Sequence, residues 1–360
     1  MRIHRLDPAN RRDVRRYVEF PFHLYREDPL WVPPFVHEIR TQLDPDRHPF
    51  YQHSKAAFFL ALEGEKVLGR VAVLDNARHN AYHGGRAALF YHFDVVDNRE
   101  VSRTLLGAAC DWARGRGLEL IWGPKGFWAL DGQGILVNGF EHRPAMGIPY
   151  NHTYYSGLLE DAGFEKKLDL LSWYMDRNLE VSARYLEVAE RIKERRGFRS
   201  LHFRTKAELR ALIPQVIGVY NESFVDVQGY VPITEAEGRA IGERILAIAD
   251  PELVSLLMKG DELVGFVLAY PDVSAAIQRC RGRVWPTGWY HLRREFKRTR
   301  WINFNGAAIL APYRGLGGTA LLYAELYHIL FSHSQYDYAD LVQTQETNMP
   351  VIQELQAVGV

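Results

Sequence analysis

The hydrophobic and polar positions of the chain form one succession of elements that occurs twice. Two alternating apolar runs around a polar turn, the pattern of a β-hairpin, cover residues 56–75 and again residues 254–270. Each hairpin is followed by a long apolar run, a stretch of helical periodicity, a shorter apolar run and a last helical stretch. The pattern predicts an α/β protein that contains two similar units.

Glycines recur at one spacing in the two halves. Gly64 and Gly260 lie in the two hairpin turns, and 260 minus 64 is 196. The same difference separates two further pairs, Gly69 from Gly265 and Gly163 from Gly359. Several agreements at a single spacing indicate that one α/β unit occurs twice along the chain.

The pattern also predicts individual elements. In the first copy they are a strand at 2–6, a helix at 11–25 that begins near Asn10, a strand at 87–94, a helix at 100–114 and a strand at 118–122. Their later counterparts in the second copy are a strand at 302–311, a helix at 318–331 and a strand at 338–344. An amphipathic helix pattern at 180–196 separates the copies. We predict an N-terminal domain at 1–178, a linker helix at 179–197 and a C-terminal domain at 198–360.

Composition and charge narrow the class of partner. The 360 residues include 44 basic and 44 acidic side chains, so the chain has no net charge that would attract nucleic acid or an anionic membrane. Local basic patches are still compatible with a net charge of zero. The two cysteines, Cys110 and Cys280, are far apart and the histidines are scattered, which indicates neither a disulfide framework nor a metal site. No apolar run approaches the ~18 residues of a membrane span, and no apolar signal segment opens the chain. We expect a cytoplasmic protein without metal, nucleic-acid or membrane partners.

The stretch from Asn305 to Leu322 combines a strand pattern, a turn rich in glycine and the start of a helix pattern. At such a junction the first helical N–H groups lack intrahelical partners, and the helix dipole adds about half a positive charge. Glycines at 315, 317 and 318 allow the backbone to approach a diphosphate, and Arg314 adds a charged fork. A plain glycine-rich connection that binds nothing has the same composition.

The run Arg314-Gly315-Leu316-Gly317-Gly318-Thr319 resembles the Arg/Gln-x-x-Gly-x-Gly/Ala loop of the GNAT (Gcn5-related) N-acetyltransferases, with Thr319 in place of the last Gly or Ala. The strand order resembles the GNAT fold in both halves. The resemblance implies two tandem GNAT-like domains of α/β (α+β) class, each a mixed, largely antiparallel central sheet flanked by helices. It also implies acetyl-CoA or another acyl-CoA as co-substrate.

The same resemblance assigns cofactor-binding positions. Main-chain groups of Ala308, Ile309 and Leu310 would meet the pantetheine arm, where the long strand splits from its neighbour. The pyrophosphate would lie at residues 314–319, which are Arg314, Gly315, Leu316, Gly317, Gly318 and Thr319. Asn348, ahead of the last helix pattern, completes the predicted cofactor-binding set.

Catalysis would require a general base for the acceptor amine and a hydrogen-bond donor for the thioester carbonyl. Many members of the family carry a tyrosine as general acid in the last helix, where this chain has Leu355. The candidate polar groups are Asn305, Glu222, Tyr230 and Glu346, and each of them is equally compatible with a surface or capping role.

The first copy has no glycine loop at the corresponding place. Its run from Asp94 to Val101 contains three acidic residues and no glycine, which would repel a diphosphate, so we predict that this copy does not bind acyl-CoA. Its aromatic residues Tyr150, Tyr154 and Tyr155 would either line a ligand groove or pack at an interface.

An insertion at 275–300 separates the hairpin and the long strand of the second copy. It carries Trp285, Trp289, Tyr290 and many arginines and lysines. The segment would either bind an acidic substrate or RNA, or form a solvated helical face that also covers its neighbour.

Three functions fit the sequence. The first is an N-acyltransferase that moves an acyl group from acyl-CoA to the amine of a small molecule or peptide by direct attack. The second is a Fem-type transferase that uses aminoacyl-tRNA, in which the glycine loop would not be needed. The third is a non-catalytic acyl-CoA sensor, which the absent tyrosine makes credible.

Overall fold

The computed structural model describes residues 1–128, 131–179, 183–357 and 359. The chain forms two compact units, each with its own sheet and core. Unit 1 contains Met1–Lys167 together with Ser274–Arg293, and unit 2 contains Leu168–Val273 together with Arg294–Val360.

The elements follow the chain in this order. The strands are β1 Arg2–Arg5, β2 Lys55–Glu63, β3 Lys66–Asp75, β4 Ala87–Val95, β5 Leu120–Trp122, β6 Leu170–Asp176, β7 Phe198–His202, β8 Val254–Lys259, β9 Glu262–Pro271, β10 Trp301–Ile309 and β11 Tyr338–Gln345. The helices are α1 Arg11–Leu24, α2 Val36–Gln42, α3 Ala77–His83, α4 Arg99–Arg114, α5 Tyr155–Asp161, α6 Ala183–Arg196, α7 Lys206–Ser223, α8 Glu235–Ile248, α9 Ser274–Cys280, α10 Gly288–Phe296, α11 Ala311–Tyr313, α12 Thr319–Ser332 and α13 Met349–Ala357.

The sheet of unit 1 has the order β1-β2-β3-β4-β5. Its pairs are antiparallel except for β4 and β5, which run parallel from Ala87 opposite Leu120 to Leu89 opposite Trp122. Helix α1 begins as predicted, because the Asn10 side chain accepts hydrogen bonds from the first N–H groups of the helix. Both predicted hairpins are confirmed, as β2–β3 here and as β8–β9 in unit 2.

The sheet of unit 2 has the order β7-β8-β9-β10-β11-β6, again with one parallel pair, β10 and β11. Strand β6 lies in the range predicted for the N-terminal domain, yet it is an edge strand here because it pairs with β11 from Leu170 opposite Gln345 to Asp176 opposite Tyr338. The helix predicted as a linker is α6, which belongs to unit 2, and its Tyr185 hydroxyl donates to the Ala320 carbonyl oxygen in α12 (3.4 Å). Residues 180–182 of that prediction lie outside the described residues.

The long strands β4 and β10 bulge in the same way. Val95 lies opposite Gly69 and Ile309 lies opposite Gly265, and in each pair of strands one extra residue is accommodated a few positions earlier. The predicted repeat of one mixed sheet with flanking helices is therefore confirmed.

Each unit has its own apolar core. In unit 2 the helix positions predicted from periodicity, among them Leu321, Leu326 and Ile329 of α12, are buried with Ile302 and Phe304 of β10. Across the described part of the chain, no helix is both long and apolar enough to cross a bilayer. The described residues also contain no group of three or more His, Cys, Asp and Glu side chains that could hold a metal ion.

Candidate functional site

Strands β10 and β11 separate along their length and leave an open seam in the sheet of unit 2. Their parallel ladder runs from Trp301 opposite Tyr338 to Phe304 opposite Leu341, and β10 continues beside β9 only. The N–H of Leu310 donates to the Val264 carbonyl oxygen on the β9 side (2.9 Å). Because main-chain groups alternate in direction along a strand, those of Ile309 face the seam.

The Arg314 side chain closes the end of this seam. Its Nε donates to the Ile309 carbonyl oxygen (3.1 Å) and its Nη2 donates to the Ser223 carbonyl oxygen at the end of α7 (2.6 Å). These bonds use two of the five N–H donors of a guanidinium group, so donors remain for a further acceptor. The Ser223 hydroxyl beside it is buried and has no hydrogen-bond partner among the described residues.

The predicted glycine loop, Arg314–Gly318, is a turn that is kinked at Gly317 and leads into α12. Gly317 has φ 87° and ψ 7°, the left-handed conformation that glycine adopts without strain. A Cβ on Gly317 would lie 2.7 Å from the Ile192 side chain, and a Cβ on Gly318 would collide with the Ile309 side chain. The backbone conformation thus favours glycine at 317, and at 318 a Cβ would also lie 2.7 Å from the Tyr313 carbonyl oxygen.

Asn305 lies at the bulge of β10, where the seam opens. Its Nδ2 donates to the Tyr270 hydroxyl oxygen (2.6 Å), and burial raises the pKa of Tyr270 above its usual value. Nearby in sequence, Asn303 donates to the Asp272 carboxylate (3.1 Å), while the Asn303 Oδ1 is buried without a partner among the described residues. Sequence reasoning missed Tyr270, Asp272 and Asn303, although polar side chains inside two predicted strands were a detectable signal.

Tyr230 and Glu222 belong to the end of α7 and the loop after it. The Tyr230 side chain is buried, and its hydroxyl donates to the Asn221 carbonyl oxygen (2.7 Å), so it anchors the loop. Glu222 is exposed and precedes Ser223, whose carbonyl oxygen binds Arg314. Of these two candidates, Glu222 retains an accessible carboxylate.

Glu346 and Asn348 lie beyond the end of β11. The Glu346 carboxylate accepts from the Asp169 N–H (2.8 Å), which fixes the approach to β6. The Asn348 carbonyl oxygen accepts from the Ile352 N–H (3.2 Å) at the start of α13. Among the predicted site residues, the structure thus brings Arg314 and Gly318 next to Ile309. The described contacts of the other three candidates, Asn305, Glu346 and Asn348, are all with residues outside the predicted site.

Leu355, at the position where the family's tyrosine was expected, is only 1% exposed and belongs to the core of unit 2. An apolar side chain in that place can neither donate nor accept a proton. General acid catalysis from this position is therefore excluded by the residue type.

The corresponding place in unit 1 is closed. The Tyr154 hydroxyl donates to the Val95 carbonyl oxygen (2.8 Å), and the Val95 N–H donates to the Tyr155 hydroxyl oxygen (3.2 Å). Asn98 accepts from the Val101 N–H (3.1 Å) and caps α4 as an ordinary helix start. Tyr154 and Tyr155 therefore pack inside unit 1, a role that differs from both the ligand groove and the interface between copies that the sequence allowed.

No family model matches the chain. It is 24% identical over 356 residues to the Escherichia coli (strain K12) protein YghO, a match that covers 97% of this chain and 90% of YghO. It is 28% identical over 284 residues to a bacterial ceramide synthase of Caulobacter vibrioides, covering 78% of this chain and 73% of that relative.

Two solved structures share the fold. A tandem GNAT protein from the clavulanic acid biosynthesis pathway matches with a TM-score of 0.56 at 12% identity, over 99% of this chain and 94% of that one. The glucosamine N-acetyltransferase region of a fungal β-N-acetylglucosaminidase matches with a TM-score of 0.51 at 10% identity, over 98% of this chain and 36% of that one. The chain therefore has the tandem GNAT fold that its glycine motif predicted.

Proposed function

We propose, from the tandem GNAT fold and the open seam of unit 2, that the protein is an N-acyltransferase that moves an acyl group from acyl-CoA to an amine. The observation that carries the proposal is the end of β10. There the main chain of Ile309 faces a gap in the sheet, and that gap ends at Arg314 and the glycine turn.

This end of β10 suits the chemistry of coenzyme A. Amide groups of a pantetheine arm would hydrogen-bond to strand main chain beside the seam, at Ala307 and Ile309 more readily than at Leu310, whose N–H is already bonded to Val264. The diphosphate would lie at Arg314–Thr319, where the start of α12 contributes the positive end of a helix dipole.

In the transfer itself, the acceptor nitrogen attacks the thioester carbonyl carbon, the C–S bond breaks and the thiolate leaves. One proton departs from the nitrogen and one is taken up by the thiolate. Glu222 is the best placed of the candidate bases, since its carboxylate is exposed, and Asn305 would orient a carbonyl or the amine at the opening of the seam. Tyr230 and Glu346 already hold structural hydrogen bonds, and with Leu355 in the last helix the thiolate proton would come from water.

The relative named as a ceramide synthase supports a narrower proposal for the acceptor. Ceramide is an amide between a long-chain amino alcohol and a fatty acyl chain, so its formation is a reaction of the proposed class. At 28% identity over 284 residues, this relative favours an amphiphilic amine as acceptor and a long-chain acyl thioester as donor.

The full-length protein tests the proposal directly. Purified protein is incubated with acetyl-CoA or a long-chain acyl-CoA and with amines from short polar to long-chain amino alcohols, and free thiol and amide product are measured. We expect thiol release that depends on the amine, with an equal amount of amide formed. Binding of acyl-CoA without turnover would support a sensor, and activity with aminoacyl-tRNA alone would support the Fem-type alternative.

A further inference from the structure

The insertion between β9 and β10 presents large aromatic side chains to solvent. Trp285 is 80% exposed, and Trp289 and Tyr290 are each 52% exposed. Large apolar side chains that are exposed singly are common on soluble proteins, but here three lie within six residues of one segment, and the ring centroids of Trp289 and Tyr290 are 6.2 Å apart. Exposed apolar side chains that cluster mark interaction surfaces. Together with the exposed basic side chains around them they form what we term the aromatic–basic face: Arg281, Arg283, Trp285, Trp289, Tyr290 and Arg293.

The base of this face is held firmly in unit 1. The Gln278 side chain donates to the carbonyl oxygens of Pro29 (2.8 Å) and Trp31 (3.0 Å). The Gly282 carbonyl oxygen accepts from the Val36 N–H (2.9 Å), and the Arg283 guanidinium lies over the Phe22 ring. The insertion thus covers its neighbour, as one of the sequence alternatives stated, while its aromatic side chains still point to solvent.

The charge of the segment differs sharply from that of the chain. Between Asp272 and Glu295 there are five arginines and no acidic residue, whereas the whole chain has 44 basic and 44 acidic residues. A neutral molecule with one basic patch is oriented by an anionic surface, because only that patch is attracted. The expectation of no membrane partner rested on the absence of a spanning apolar run and on the net charge, and the net charge does not reveal a local basic segment.

We propose that the aromatic–basic face docks the protein on the surface of an anionic lipid membrane. Tryptophan and tyrosine are favoured at the boundary between headgroups and acyl chains, because one end of each ring system is apolar and the other forms hydrogen bonds. Arginines beside them attract anionic headgroups. The protein would lie on the membrane through these side chains, without a spanning segment.

Single-stranded RNA is the competing partner for basic and aromatic side chains. Proteins that bind it stack bases on rings set in a positively charged groove, where neighbouring residues flank each ring. An indole that is 80% exposed projects away from its surroundings instead, which suits insertion into a lipid surface. The inference does not depend on the proposed acyl transfer and stands or falls separately from it.

Co-sedimentation of the full-length protein with lipid vesicles tests the proposal. We expect binding to phosphatidylcholine vesicles that contain phosphatidylglycerol, little binding to phosphatidylcholine alone, and weakening as salt is raised. Trp285→Ala/Trp289→Ala should lower the partition coefficient at least about tenfold. A matched control, Tyr82→Ala/Tyr174→Ala, removes two aromatic side chains that are 44% and 50% exposed outside the face and should leave binding unchanged.

A second measurement needs no variant. Lipids brominated in the upper acyl chain should quench tryptophan fluorescence of the unaltered protein. Absence of vesicle binding, equal binding by the Trp285→Ala/Trp289→Ala variant, or binding of single-stranded RNA in place of vesicles would each overturn the proposal. So would a dimer in sedimentation velocity without lipid that this variant converts to a monomer, since the face would then join two copies.

Discussion

The long strands β4 and β10 end with the same main-chain geometry, but different side chains bind the main-chain groups at their ends. Val96 and Leu310 donate equivalent hydrogen bonds, to Leu68 (3.0 Å) and Val264 (2.9 Å), so Val95 and Ile309 both turn their main-chain groups away from the preceding hairpin. In unit 1 two tyrosine hydroxyls bind those groups of Val95. In unit 2 Arg314 binds the carbonyl oxygen of Ile309, and among the described residues no side chain binds the Ile309 N–H.

A repeated fold therefore provides the same strand edge twice, and side chains decide whether a ligand can use it. Buried main-chain donors and acceptors must be satisfied, so an edge without side-chain partners is available to a ligand.

The neighbouring ladder position also differs between the two units. Arg70 lies opposite Asp94 in unit 1, where unit 2 has Phe266 opposite Ala308. Unit 1 has an ion pair at a position where unit 2 has apolar residues, and the Arg70 side chain of that pair is buried.

The largest expected effect comes from breaking that ion pair. Arg70 is 3% exposed, and its Nε lies 2.7 Å from the Asp94 carboxylate, so Asp94→Ala leaves a buried charge unpaired. We expect a loss of about 3–5 kcal/mol in the free energy of unfolding of unit 1, measured by urea denaturation. Arg70→Phe/Asp94→Ala, which installs the pair found in unit 2, should recover much of the loss. A cost below about 1 kcal/mol for Asp94→Ala alone would contradict a buried pair here.

The next effect tests the glycine turn of unit 2. Gly317→Asp places a carboxylate where the proposed diphosphate lies, which costs roughly 1 kcal/mol in water and several times that when half-buried. Strain at φ 87° adds about 1 kcal/mol or more. Affinity for coenzyme A, measured by calorimetry on the full chain, should fall by roughly thirty- to several-hundred-fold. Unchanged affinity in a folded Gly317→Asp protein would refute the phosphate-binding role.

Two control variants separate the effect of the added charge at Gly317 from the effect of backbone strain. Gly317→Ala introduces the backbone strain and the contact with Ile192 without the charge, so it should weaken binding less than Gly317→Asp. Asn98→Asp makes a similar change in unit 1, where either side chain can cap α4, and should leave affinity unaltered.

As the pH is lowered, the free energy of unfolding of unit 1 should fall before that of unit 2. Burial lowers the pKa of His79 from 6.5 to about 4, and burial together with Arg70 lowers the pKa of His92 as well. A histidine with a lowered folded pKa binds protons more readily when unfolded, so stability falls as pH drops from 6.5 towards 4. For His79 the loss in the free energy of unfolding approaches about 3 kcal/mol. His79→Phe should flatten the dependence in urea titrations at several pH values, and a steeper acid loss in unit 2 would contradict the assignment.

The smallest effect concerns the closed edge of unit 1. Tyr155→Phe removes one partner each from the Val95 N–H and from the Tyr25 hydroxyl, which lies 2.7 Å from that of Tyr155. We expect a loss of about 1–2 kcal/mol in the unfolding of unit 1 and still one coenzyme A per chain. A second equivalent of coenzyme A in calorimetry would show that the tyrosine alone had excluded it.

Local patterns predicted the repeated elements well, because they depend on periodicity and on turn residues. Gly69 and Gly265 do occupy equivalent positions in the two sheets, and Gly317 has a left-handed conformation that glycine adopts without strain. The contacts of Arg314 could not be predicted, since its two acceptors are main-chain oxygens with no sequence signature. The same holds for Val95, whose partners lie about sixty residues away.

The pairing of β6 was beyond sequence reasoning for a related reason. An apolar run indicates a strand, but the neighbour of that strand is chosen by contacts between distant segments. Leu170–Asp176 lies in the sequence range predicted for the first copy, yet it joins the sheet of the second copy. Residues 274–293 show the reverse case, since they lie in the sequence of the second copy but belong to unit 1. Their Gln278 and Gly282 form hydrogen bonds with residues 29–36.

The interleaving of the two units sets an order of events on the ribosome. Unit 1 includes residues 274–293, so it cannot reach its final form when its first 167 residues emerge, and it waits until more than three quarters of the 360 residues have been made. Strand β6 emerges long before β11, its partner, and must remain unpaired in the meantime. The nascent chain therefore carries an incomplete first unit until residue 293 has been made, and an unpaired β6 edge until β11 follows.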